Sequence, residues 1–101
     1  MMISKIGYKQ QGFTMIELHL ENTIIAFDGR VLEAFPQGQV ASRYHVANIT
    51  TAGVISDKKG RQSLQIFMKG GGGFATAQLS PEAAQQAQLM IAEIKKVRSD
   101  L

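Results

Sequence analysis

Cysteine and tryptophan are absent from this chain, proline occurs twice, and no apolar run approaches the length of a bilayer crossing. Without cysteine there is no disulfide framework, no thiolate nucleophile and no sulfur-based zinc site, so any metal would have to rest on histidine and carboxylates. A crossing helix needs about 20 largely apolar residues, and none are supplied. Charge of either sign is sparse as well: 11 Lys and Arg stand against 8 Asp and Glu, a net charge of +3. That excess permits weak attraction to phosphates or anionic lipid without demanding either. What is present is a chain of 101 residues, 45% hydrophobic, the size of one small domain with one core.

The stretch "QQGFTMIEL", Gln10 to Leu18, matches the site read by the peptidase that processes type IV pilins: Lys5 and Lys9, then Gly12, Phe13 and Glu17. Pilins continue from there as a long apolar helix. Here His19, Glu21 and Asn22 follow at once, and Asp28, Gly29 and Arg30 end the next apolar run. Charges at the centre of a span cost about 2.5–3.5 kcal/mol each, so the segment reads as the entry to a strand and the expected location is cytoplasmic.

Residues 1–12 show no clear period and are read as an N-terminal arm. From Thr14 the period is two: Ile16, Leu18 and Leu20 share one face, Glu17, His19 and Glu21 the other, which predicts a half-buried strand. In "TIIAFDGRVLEAF" the Asp28-Gly29 pair predicts a hairpin with a type I′ turn, joining strands over 23–27 and 30–35. Pro36 and Gly38 end that unit. "QVASRYHVANITTAGVIS" predicts a short strand near Tyr44, a kink at Ala47-Asn48 and a longer strand, with a bulge at Gly53. After the loop "DKKGR", the alternation in "SLQIFMK" directs Leu64, Ile66 and Met68 inward and Phe67 outward. The run Gly70–Gly73 precedes Phe74 and a strand rather than Lys, Ser and a helix. It therefore reads as a hairpin tip and not as a phosphate loop.

"SPEAAQQAQLMIAEIKKVR" carries the strongest helix signals: Ser80 as N-cap, Pro81 at the first helical position, Glu82 at the positive end, and Lys95, Lys96 and Arg98 at the other. Ala84, Ala87, Met90, Ile91, Ile94 and Val97 recur at three- and four-residue spacing and predict one apolar stripe.

Six or seven antiparallel strands followed by one amphipathic helix predict a mainly β fold, a curved sheet or partly open barrel capped by the helix. In strand order, in "IIAFDGRVLEAF" and "RYHVANITTAGVIS", and in the terminal helix, the chain resembles the bacterial pleckstrin-homology-like (PH-like) domains over about residues 13–98. The resemblance implies two near-orthogonal sheets with a C-terminal helix, a single domain over 13–101, and frequent assembly into oligomers. Family members that bind inositol phosphates use basic residues around the first hairpin loop. Here that loop is "HLENTI", with Glu21 and no Lys or Arg, so phosphoinositide binding there is not expected.

No residue set reads as catalytic, and no cofactor or metal is expected. His19 and His45 lie on different strands, Glu17 and Glu21 accompany only the first, and a metal site wants at least three converging ligands. Two functional surfaces remain. If successive strands reverse, the loops "DGR" and "DKKGR" emerge together and gather Arg30, Lys58, Lys59 and Arg61 into a basic rim, suited to anionic membrane or nucleic acid. Alternatively, an open sheet leaves edge strands that pair with a partner or a second copy, with Tyr44 and Phe67 as interface candidates. Of the two, a protein-interaction or self-assembly module is the expected function.

Overall fold

Alternation places the strands, and the side chains that alternate inward make the core. The structure is a computed structural model that describes residues 9–10 and 13–101, with side chains from Met15 onward. Of the arm expected over 1–12, only the Lys9–Gln10 backbone falls within the described residues, as strand β1 paired antiparallel with β2, Phe13–Thr14. The rest of that expectation lies outside them.

A four-stranded antiparallel sheet follows, β3 (Ile16–His19), β4 (Thr23–Phe27), β5 (Val31–Pro36) and β6 (Ser42–His45), in sequence order across the sheet. A 3₁₀ turn, Val46–Asn48, leads into a three-stranded antiparallel sheet of β7 (Ile49–Ser56), β8 (Gln62–Met68) and β9 (Gly73–Ala75). Helix α1, Pro81–Val97, ends the fold. The molecule is thus mainly β, two antiparallel sheets with one C-terminal helix. Among the described residues no ladder joins the sheets; of the curved sheet or partly open barrel expected, the strands form two separate sheets and do not close into a barrel. Helix α1 packs on β3, β7 and β8 and so bridges the outermost strands β3 and β7, which do not pair with each other.

The inner faces follow the predicted alternation. Leu18, Ile25, Phe27 and Leu32 of one sheet meet Ile49, Leu64 and Ile66 of the other and Met90 and Ile94 of α1, all buried. Ser80 Oγ accepts the Ala83 N–H at 3.1 Å, the cap expected of it. Val97 departs from the expected stripe, being 47% exposed at the last helical turn.

Two local readings are also revised. The turn after β4 is wider than a two-residue type I′ loop: Phe27 pairs with Leu32, and Asp28 Oδ1 accepts the N–H groups of Arg30 (2.9 Å) and Val31 (2.8 Å). An aspartate that bonds its own backbone stabilises this wider loop. The register it sets differs by two residues from the tight turn, and so leaves every side chain on its predicted face. The bulge in β7 falls between Ile49 and Thr51, whereas Gly53 stands in regular register with Gln65. Thr50, the extra residue, donates its hydroxyl to the Phe67 carbonyl at 3.2 Å. Among the four consecutive glycines, Gly73 is required by space: at φ 129° a Cβ there would collide with the Ile66 carbonyl across the ladder.

Candidate interaction site

Two sheets that share no ladder must part somewhere. They do so at the end of the molecule holding the β3–β4 and β5–β6 connections, around a cleft of about 630 Å³. Ile25, Ala34 and Tyr44 on the inner face of the four-stranded sheet form one side, and Phe74, Leu79 and Ala83 form the other. Tyr44 and Phe74 meet across the gap with ring centroids 6.0 Å apart and planes tilted by 42°. The volume lies in the range, roughly 300–1,000 Å³, of pockets that accept small ligands or buried side chains.

The segment between β9 and α1 holds one wall in place. Thr76 donates its N–H to the Leu64 carbonyl and accepts the Leu64 N–H on its hydroxyl, each at 2.9 Å. Leu79 donates to the Gln62 carbonyl at 2.7 Å. Bonded along β8 in this way, the segment stays against its own sheet and leaves the cleft open.

Beside the cleft runs β6, an outermost strand that, among the described residues, pairs only with β5. The Val46 N–H donates to the Arg30 carbonyl at 2.7 Å. Counting back in steps of two, Tyr44 and Ser42 direct their main-chain groups to β5, and the N–H and C=O of Arg43 and His45 point away from the sheet. Side chains alternate the other way. Tyr44 and Ser42 line the cleft, while Arg43 and His45 are exposed on the outer face.

The structure separates the expected basic rim. The 3₁₀ turn at Val46–Asn48 begins a new sheet, and β7 then runs eight residues away from it, roughly 23–26 Å. Arg30, bonded to Val46, is at the start of β7, whereas Lys58, Lys59 and Arg61 follow its end. The expectation failed because the short strand around Tyr44 is a full reversal of its own. Arg61 is moreover engaged, its Nε donating to Asp57 Oδ2 at 2.6 Å. The Asp57 carboxylate is held below its ordinary pKa, first by the Arg61 N–H and then by that side chain and the Lys59 N–H. Among the described residues, Lys58 and Lys59 have no ion-pair partner.

Phe67 lies on the outer face of the three-stranded sheet, 40% exposed, while Tyr44 is half-buried in the cleft, so the two interface candidates belong to different surfaces. The histidines are likewise apart. His19 pairs with Ile24 at one end of its sheet, with Nε2 2.9 Å from Glu17. His45 pairs with Val31 at the other, its Nδ1 accepting the Ala47 N–H at 3.1 Å as cap of the 3₁₀ turn. Among the described residues no three His, Cys, Asp or Glu converge on a point where a metal would sit, and no helix is long and apolar enough to cross a membrane.

Sequence reasoning missed Arg98, which it placed only as a charge at the helix end. One nitrogen, Nη1, donates to the carbonyls of Val46 (2.9 Å), Ala47 (3.1 Å) and Ile49 (2.9 Å). Nε and Nη2 bind the two carboxylate oxygens of Asp100 at 2.8 and 2.7 Å. Hydrogen bonding to Arg98 brings the Asp100 pKa down to about 2, and the same contact raises that of Arg98.

Comparison with protein-family models, with curated proteins and with solved structures finds no match to this chain. The class that the fold and the cleft define is therefore the structural one, a small two-sheet β fold with a C-terminal helix and, among the described residues, an outermost strand, β6, with an open edge beside an apolar opening.

Proposed function

We propose that this chain is a non-enzymatic protein-interaction module on a PH-like frame, which engages a protein partner or a second copy of itself through the free edge of β6 and the adjoining cleft. The frame is supported by two antiparallel sheets followed by one C-terminal helix, since the resemblance implies two sheets capped by such a helix. The observation that carries the function is the unpaired β6 edge next to an opening of about 630 Å³ whose sides are mostly apolar. Exposed edges invite pairing, and proteins that do not use them usually blunt or cover them. Helix α1 covers β3 and β7 in that manner.

The competing surface for anionic membrane or nucleic acid retains only Lys58 and Lys59 on one loop, since Arg61 is paired with Asp57 and Arg30 stands at the far end of β7. Two free lysines make a weak, salt-sensitive attraction.

The experiment combines sedimentation velocity over a wide concentration range with affinity capture, for the parent chain, Tyr44→Ala and the double reversal Lys58→Glu/Lys59→Glu. Self-association or a captured partner is expected to survive the lysine reversal and to be lost in Tyr44→Ala. A chain that is monomeric throughout and captures nothing beyond what Tyr44→Ala captures would refute the reading. Association lost on lysine reversal would place function on the loop instead.

A further inference from the structure

Taking the interaction reading as its basis, we propose that the partner presents an extended peptide segment of alternating acidic and apolar residues, which adds as a fifth strand to β6. The backbone sets the first requirement. The N–H and C=O of Arg43 and His45, without backbone partners among the described residues, are spaced two residues apart on one side of the strand, the repeat with which an antiparallel neighbour forms its closely spaced bond pairs. A folded helix or a small molecule does not match that repeat.

The side chains set the pattern. Across the outer face of the sheet, Glu17, Ala26, Glu33 and Arg43 stand in one cross-strand row. Arg43 Nε lies 3.1 Å from Glu33 Oε2, with its side chain 70% exposed on the open flank. Only Nε of Arg43 is engaged by Glu33, so the Nη donors on the open flank are left for a carboxylate at the next position in that row, which is unfavourable for a cation because directly opposed strand residues interact most strongly. The position opposite His45 lies on the same outer face, where the ring's Nδ1 accepts the Ala47 N–H and so leaves Nε2–H as a donor to a carboxylate. Between them, the residue opposite Tyr44 turns inward, over the cleft bounded by Tyr44, Phe74 and Leu79, and is favourable for a large apolar side chain. The segment therefore reads acidic, apolar, acidic.

Random twelve-residue peptides displayed on phage and selected against the intact chain test this. Enrichment of an alternating acidic and apolar pattern is expected, with binding by a selected synthetic peptide slowing amide exchange at Arg43 and His45. The Arg43→Glu variant should bind that peptide roughly five- to tenfold more weakly and select lysine or arginine in its place. Arg43→Gln, which sets no two carboxylates side by side, should lose less. The proposal is overturned if no peptide is enriched, if the selected peptides are basic, or if they protect amides outside β6 and ignore Arg43→Glu. In each of those cases, association that still depends on Tyr44 leaves the broader interaction reading standing and removes only strand addition. Loss of both removes the reading itself.

Discussion

Arg98 shows how much one side chain decides when it follows a helix. The 3₁₀ turn between the sheets leaves carbonyls without ladder partners, and the guanidinium reaches two of them, Val46 and Ala47, and the Ile49 carbonyl at the start of β7, while the opposite fork holds Asp100. The planar donor geometry is what permits both at once, so lysine is not an equivalent. Arg98→Met and Arg98→Lys are each expected to lower the thermal midpoint by several degrees, Arg98→Lys less, as followed by circular dichroism. The pH dependence has a definite sign. The Asp100 pKa is depressed from 3.8 to about 2 in the folded chain, so its contribution is complete above the unfolded value and is lost as pH falls through about 2. The stability difference between the parent and Asp100→Asn should accordingly be complete at about pH 6, shrink as pH falls below the unfolded value, and vanish only below about pH 2. Because the pair is open to solvent, salt should also reduce it.

At the scale of elements, legibility followed burial. Strands β3, β4, β5 and β8 were readable because one face of each meets the core, and period-two alternation is the imprint of that burial. The helix was readable because Ser80, Pro81 and Glu82 mark its start and the apolar stripe its buried side. The reversal of β6 was legible only as a short strand, since Arg43 and His45 look like loop residues until the chain is seen to turn at Val46. For the same reason the basic rim was misplaced, and neither the place of Tyr44 in the cleft nor Phe74 as its facing wall carried a sequence signal beyond their strands. Strand β8 offers the direct check on the inner face. Leu64 is fully buried and its neighbours there are apolar, so Leu64→Asp places an unpaired charge in the core and should abolish cooperative unfolding. Lys59→Asp, on the exposed loop, should leave the transition unchanged. A folded Leu64→Asp chain would mean that the sheet faces are reversed.

For the whole molecule, the absence of a ladder between the sheets makes α1 the element on which integrity depends. Each sheet has its own hydrogen bonds, yet neither buries its inner face alone, and α1 spans the corner where β3 and β7 stand apart. Burial of Met90, Ile91 and Ile94 stabilises the fold by roughly 1.5–3 kcal/mol for each large side chain. Their sum, on the order of 5–9 kcal/mol, is comparable with the whole net stability of a domain. The sheets are therefore not expected to outlast the helix. Ending the chain at Ser80 should remove the single cooperative transition, and hydrogen exchange should find the amides of β4 and β8 unprotected together. Ile91→Asp in the full-length chain should do the same through the helix's buried face alone, whereas Leu89→Asp, on its exposed face, should not. If the truncated chain instead kept slow exchange in both sheets, the cores would be separable and α1 only an appendage. The open corner beside β6 would then have to be explained without the helix as its counterpart.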